Sequence, residues 1–402
     1  MALLVYLVHG MGVRADAGDN VPKDEALFGW YKDPVEALRA LPAKYGLSLA
    51  FDMHTGALPD GRAFDYIKLG QDTVNCTATL RAMVVPVSYA DVLDDTLTAL
   101  AATEEKLGTE LLNSGGSGID RALADWLDGN ANPDAGFGWT HIADVVLLRF
   151  DAETRKAVRR KIAQQLVAAE THKADGMLAT RVFITHSLGT FATTDTLQAM
   201  STAAVAEGLP SFGVGSWDLE AFVTLANVTR VLSASVGDPY RFVVRPRTVT
   251  APAGSGMVRT YRNVQHALDP IPLPWAFNRP PWQPDYDYQF AELTAIKHLN
   301  VHGFTHYLND PRAHCALLNL LCVGARQVTK EQFAKAVAEY EQPTGGDPCA
   351  DAIATLRDTL VRVTSEVRAK QQPTLHDVLP WILDTVQAIH TARGRCAGGF
   401  KL

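Results

Sequence analysis

The feature that most constrains this chain is an apolar run, Arg181-Val182-Phe183-Ile184-Thr185, that passes through His186-Ser187-Leu188-Gly189 straight into a helical stretch reaching Met200. A buried strand that becomes a helix with no linker must turn sharply. The residue at the apex then projects its side chain above the carboxyl end of the strand, and small neighbours let the turn approach adjacent strands closely. Ser187 occupies that apex and Gly189 supplies the small neighbour. The plainer alternative is a serine that merely caps the helix.

The rest of the pattern supplies a sheet for this turn. Residues 3–8 read as a strand buried on both faces and stopped by Gly10 and Gly12, and Met83 to Tyr89 as a second. Further strands are expected over Ala226–Ser235 and Arg259–Leu268, and Asp144–Leu148 reads as a strand end or short helix. From Asp151 to Ala169 the apolar positions Val158, Ile162 and Leu166 recur every four residues, predicting an amphipathic helix capped by Asp151. Strands alternating with helices predict an α/β fold with a mainly parallel central sheet and helices on both faces. The long polar stretch 13–80, the Gly-rich stretch 105–140 and residues 273–299 are expected to be insertions acting as cap or lid. After Gln327 the chain turns alanine-rich and charged, with helical periodicity over 330–340, 350–370 and 375–391. The expected organisation is therefore a catalytic domain over 1–325 and a helical C-terminal extension over 326–402. Packing on the main domain, dimerisation and capping of the site are all open for that extension.

Charge narrows the partners. A formal net charge of −7 argues against nucleic acid or an anionic membrane as the main partner, since both demand a basic face. Five scattered cysteines fit neither a disulfide framework nor a zinc pattern, and read as reduced. No run approaches the ~18 apolar residues of a membrane span. The apolar N-terminus lacks a basic region and a cleavage site, so a strand is expected there instead of a signal peptide. A cytoplasmic location is the expectation, with signal-less export left open.

Two further features would give Ser187 its chemistry. His9-Gly10-Met11-Gly12 follows the first strand, and a glycine-bearing turn can aim backbone N–H groups at one point. The N–H groups of Met11 and Leu188 are the candidate oxyanion hole. A serine hydroxyl also needs an imidazole base, and the imidazole a carboxylate to fix its tautomer. Asp269, in Asp269-Pro270-Ile271-Pro272, lies just past a strand and is the candidate acid, with Asp238 as rival. Downstream, His302-Gly303-Phe304-Thr305-His306 offers two bases four residues apart, with His298 and His314 as weaker rivals. Asp310 is expected to turn the chain or cap the next helix. His186 and His9 are expected to have supporting roles.

These residues resemble the α/β-hydrolase superfamily, and in detail its class 3 lipases. Asp269-Pro270-Ile271-Pro272-Leu273-Pro274 and Gly303-Phe304-Thr305-His306 stand where those enzymes carry their acid and base motifs. The resemblance therefore favours a triad of Ser187, Asp269 and His306. It departs at Thr185, where a glycine is usual, and in the C-terminal extension. It implies hydrolysis of a carboxylic ester through an acyl-serine intermediate, with no metal or organic cofactor. The implied partner is a small-molecule or lipid ester, and transient contact with a lipid surface is left open. Phospholipase, thioesterase and acyltransferase chemistry share the same triad, and an inactive hydrolase fold used as a binding module is the alternative from another class. Trp275, Phe277 and Trp282, between acid and base, are expected to form an apolar wall for the substrate.

Overall fold

The structure is a computed structural model. It describes residues 2–10, 36–37, 39–47, 49–57, 63–71, 81–101, 144–145, 147–149, 151–172, 179–211, 217, 219–233, 244, 256–269, 271–272, 288–297, 301–321, 327–342 and 350–370, together with 381, 384–385, 388 and 392.

Eight strands form one sheet: β1 (Ala2–Val8), β2 (Leu49–Ala57), β3 (Ala63–Gln71), β4 (Arg81–Val87), β5 (Ala179–His186), β6 (Leu219–Leu225), β7 (Val258–His266) and β8 (Tyr288–Leu293). Their spatial order is β2-β3-β4-β1-β5-β6-β7-β8. The six strands from β4 to β8 are parallel throughout, and β2 and β3 extend the sheet as an antiparallel pair. The α/β class with a mainly parallel sheet is thus observed.

Strand alternation sorts the core into two layers. Leu4, Tyr6 and Val8 of β1 face a cluster with α1 (Ala90–Ala101), α2 (Ala152–His172) and α3 (Leu188–Thr202), through Leu93, Val158, Ile162, Leu166, Leu188 and Phe191. Leu3, Val5 and Leu7 face the opposite layer, where α5 (Phe304–Asn309) and α6 (Pro311–Leu321) contribute Tyr307, Leu308, Ala313 and Leu317. A short helix, α4 (Thr229–Ser233), follows β6. Among the described residues no helix is long and apolar enough to cross a membrane.

Three expectations need correction. The stretch 13–80 is not wholly an insertion outside the sheet, since β2 and β3 lie within it and pair along nine residues each. The alternation Leu49, Phe51, Met53 is a strand period hidden inside a polar segment. The strand expected over 226–235 is displaced. Leu219–Leu225 is the strand, and Val228, Val231 and Leu232 have the spacing of a helix. The side chain of Asn227 caps that helix by accepting from the Thr229 N–H at 2.9 Å. Finally, the interval 273–299 carries β8, which pairs with β7 from Tyr261↔Tyr288 to His266↔Leu293. The 105–140 stretch lies outside the described residues.

The C-terminal region contributes α7 (Lys330–Glu341) and α8 (Ala350–Ala369). Ala352, Leu356 and Leu360 of α8 join Val301, Leu268 and Ile296 in one apolar cluster. This helix therefore packs under the two loops that follow β7 and β8.

Candidate active site

The chain crosses from one side of β1 to the other between β4 and β5. At such a reversal the carboxyl ends of neighbouring strands leave a crevice where ligands of α/β sheets bind. Ser187 sits at the end of β5 in that region. Its backbone is at φ 50° and ψ −124°, a conformation that non-glycine residues rarely adopt and that marks a sharp strand-to-helix turn. The Ser187 N–H donates to the Leu225 carbonyl at 2.9 Å, tying the apex to the end of β6. Although Ser187 is the first flanking residue of α3, its side chain makes no capping bond. Its hydroxyl instead meets the Nε2 of His302 at 2.7 Å.

Two glycines let this apex lock onto the turn after β1. A Cβ on Gly189 would collide with the backbone carbonyls of His9 and Val8, and one on Gly10 would lie 2.6 Å from the Ser187 Cβ. Backbone packs against backbone at Gly189, and against the Ser187 and His186 side chains at Gly10, leaving no room for a further side chain at either. Thr185 is fully buried in β5, and its hydroxyl donates to the Val223 carbonyl at 3.3 Å, so a β-branched residue is satisfied at that place. His9 stacks on Tyr89 with ring centroids 4.6 Å apart, and the Tyr89 hydroxyl donates to its carbonyl. Burial pulls the His9 pKa down from 6.5 to about 4, so its imidazole is neutral. The ring Nδ1 contacts the Gly10 carbonyl, which makes His9 a support of the turn.

The imidazole at the serine is His302, and this corrects the expectation of His306. His302 Nδ1 meets Asp269 Oδ2 at 2.7 Å while Nε2 faces Ser187. Asp269 is fully buried, and its other oxygen accepts from the Ile271 N–H at 3.1 Å. With a carboxylate as acceptor, the proton belongs on Nδ1 and the lone pair of Nε2 is presented to the hydroxyl. Asp269 and His302 meet because β7 and β8 are neighbours with aligned ends: the Ala267 N–H donates to the Leu293 carbonyl at 2.7 Å.

His306 lies elsewhere for a local reason. Helix α5 begins at Phe304, with Gly303 as its flanking residue, so His302 stands in the preceding turn and His306 is inside the helix. There its ring packs 5.2 Å from that of His266 at the end of β7. The four-residue spacing that made the two histidines look equivalent does not put them on a common helical face, because only one of them is helical. Reading Tyr288–Leu293 as the last strand would have favoured a histidine on the loop that follows it.

His186 has the supporting role expected of it. Its Nε2 donates to the His302 carbonyl at 2.6 Å, and its ring stacks on Phe304 at 5.2 Å. Asp310 accepts from the Arg312 N–H at 2.8 Å, capping α6 as expected. His314 is bound instead to the Leu308 carbonyl and to the Tyr45 hydroxyl. Sequence reasoning missed Tyr307, whose hydroxyl reaches Asp269 Oδ2 at 2.7 Å. Nothing in Phe304-Thr305-His306-Tyr307 distinguishes it from an ordinary core aromatic.

Leu188 opens α3, so its N–H lies in the first turn, where no helical carbonyl is available to it. Met11, Trp275, Phe277, Trp282, His298 and Asp238 lie outside the described residues. Among the described residues no group of three or more His, Cys, Asp or Glu side chains is arranged to hold a metal ion. Comparison of the chain with protein-family models, with curated proteins and with solved structures found no match.

Proposed function

We propose that this chain is a serine hydrolase of the α/β-hydrolase type that cleaves carboxylic esters through an acyl-serine intermediate. One observation carries the reading: Ser187 Oγ, His302 and Asp269 form a continuous array with both links at 2.7 Å, at a strand-to-helix turn with φ 50°. A capping serine or a packing histidine would not require it.

In this mechanism His302 Nε2 takes the Ser187 proton as the oxygen attacks the ester carbonyl. Asp269 holds the Nδ1 proton in place and stabilises the imidazolium that forms. The tetrahedral oxyanion is stabilised by backbone N–H groups, for which Leu188 and Met11 are the proposed donors. His302 then gives its proton to the departing alcohol as the carbonyl re-forms, leaving the acyl group on Ser187. Water, deprotonated by the same imidazole, attacks the acyl-enzyme, and as the resulting intermediate collapses Ser187 Oγ leaves with the proton from His302 Nε2, releasing the acid and restoring the starting state. Every proton in this cycle is carried by the protein's own groups or by water.

The proposed substrate is a small-molecule or lipid ester. Trp275, Phe277 and Trp282, between Asp269 and His302 in the chain, are the proposed apolar wall. Ser187→Ala is expected to abolish both turnover of a p-nitrophenyl ester and labelling by a fluorophosphonate probe. Full retention of either would overturn the assignment.

A further inference from the structure

Beyond the three residues of the array, the carboxylate of Asp269 has a further partner, the hydroxyl of Tyr307. Tyr307 projects from α5 with its side chain fully buried, and its hydroxyl lies 2.7 Å from Asp269 Oδ2, the same oxygen that meets His302 Nδ1. The Tyr307 oxygen in turn accepts from the His266 N–H at 3.0 Å. A backbone N–H can only donate, so the tyrosine's own proton is left to point at the carboxylate. The bonds thus run in one sense: His266 N–H to Tyr307 Oη, and Tyr307 O–H to Asp269.

We propose that Tyr307 is a positioning residue of the catalytic array, which holds Asp269 against His302 and moderates how strongly the carboxylate stabilises the imidazolium. This rests on the serine-hydrolase reading. Asp269 has two jobs with opposed demands. It must attract the charged imidazole enough to make it a base, yet not so strongly that the imidazole stays protonated at working pH. A hydroxyl donating to Oδ2 draws off part of the negative charge that faces His302. It also fixes the carboxylate plane, since the other oxygen is held by the Ile271 N–H. Burial and the adjacent carboxylate both push the Tyr307 hydroxyl's pKa well up, so it stays a donor across the working range.

Among the described residues, the other titratable groups around the pair come from three elements. His186 at the end of β5 has its ring 5.1 Å from that of His302. His266, at the end of β7, is within electrostatic reach of Asp269 and is held neutral by burial. His306, from α5, packs against His266 and edge-on to Tyr307. Of these side chains, Tyr307 is the one that donates a hydrogen bond to the carboxylate beside His302.

The test compares wild type, Tyr307→Phe and a protein carrying 3-fluorotyrosine at 307, with Ser187→Ala as blank. Each is assayed for p-nitrophenyl ester turnover across pH and for the rate of fluorophosphonate labelling. Tyr307→Phe is expected to lower kcat about ten- to a hundredfold, the equivalent of one hydrogen bond to a charged group, with KM little changed. Removing the donor leaves more charge facing the imidazole, so the acid limb of its pH–rate profile should move to higher pH by roughly half a unit to one unit. Fluorotyrosine, a stronger donor of nearly the same size, should move the limb the other way. It also keeps the proposal testable if the phenylalanine variant does not fold. A merely structural tyrosine would change the amplitude but leave both limbs in place, and that result overturns the proposal. Wild type that neither turns over ester nor takes up the probe overturns the hydrolase reading itself, and the proposal with it. Normal wild-type labelling with unshifted variants overturns the proposal alone.

Discussion

Ser187 is held in a backbone conformation that costs of order 1–3 kcal/mol for a residue with a side chain, and the surrounding contacts explain how it persists. Its N–H is bonded to the Leu225 carbonyl, its own carbonyl accepts from the Thr190 N–H and hydroxyl, and Gly10 packs against its Cβ. The result is a hydroxyl aimed away from the helix it precedes and towards an imidazole. At this scale the two histidines of the His302–His306 segment should separate clearly. His302→Gln is expected to lower ester turnover by about 10⁴-fold or more, as loss of a triad member does. His306→Gln should leave turnover within about tenfold of wild type, its cost appearing as reduced stability from the altered core. Steady-state kinetics on both variants, with thermal unfolding alongside, checks the assignment, and equal losses would speak against it.

At the scale of elements, the C-terminal helix α8 bears on the site through the segments that carry Asp269 and His302. Leu268 adjoins Asp269 and Val301 adjoins His302, and both belong to the apolar cluster built by Ala352, Leu356 and Leu360. The helix forms with the spacing legible in its sequence, continuing through Val363 and Val367, which are also buried. Leu360→Ala, at a fully buried position, is expected to cost about 2–5 kcal/mol of stability. It should also lower ester turnover, because the acid and base loops lose a shared support. Val361→Ala, on the exposed side of the same helix, should change stability by less than about 0.5 kcal/mol and leave turnover intact. Urea unfolding and kinetics on the same preparations test both statements.

For the whole molecule, buried neutral histidines should govern stability in weak acid. Burial pulls His9 and His314 from 6.5 down to about 4, and it lowers His266 in the same direction. The unfolded chain binds these protons near pH 6.5, whereas folded His9 and His314 resist them until about pH 4 and folded His266 resists them below its ordinary value. Their contribution to stability is therefore complete above about pH 6.5 and is lost as the pH falls towards 4, by up to about 1.4 kcal/mol per pH unit for each group. The urea midpoint should drop between pH 7 and pH 4.5. His314→Gln can still accept from the Tyr45 hydroxyl and donate to the Leu308 carbonyl, and it should make that drop shallower.

Much of this was legible in the chain because local chemistry dictates it. An apolar strand run joined to a helix leaves Ser187 little choice but the apex, and Gly10 and Gly189 mark places where backbones must touch. Asp269 could be named because a strand ends just before it. The sequence by itself thus determined the α/β class and the places of Ser187 and Asp269 in the proposed array, all of which depend on neighbours a few residues away. Only the tertiary structure decided which imidazole faces Ser187. His302 and His306 differ in that the helix starts between them, and β8 was concealed in a Pro- and aromatic-rich interval. The role of Tyr307 was equally invisible, since its bonds to His266 and Asp269 join positions 41 and 38 residues apart. Such pairings are set by which strands lie side by side, and residue type and spacing carry no record of that.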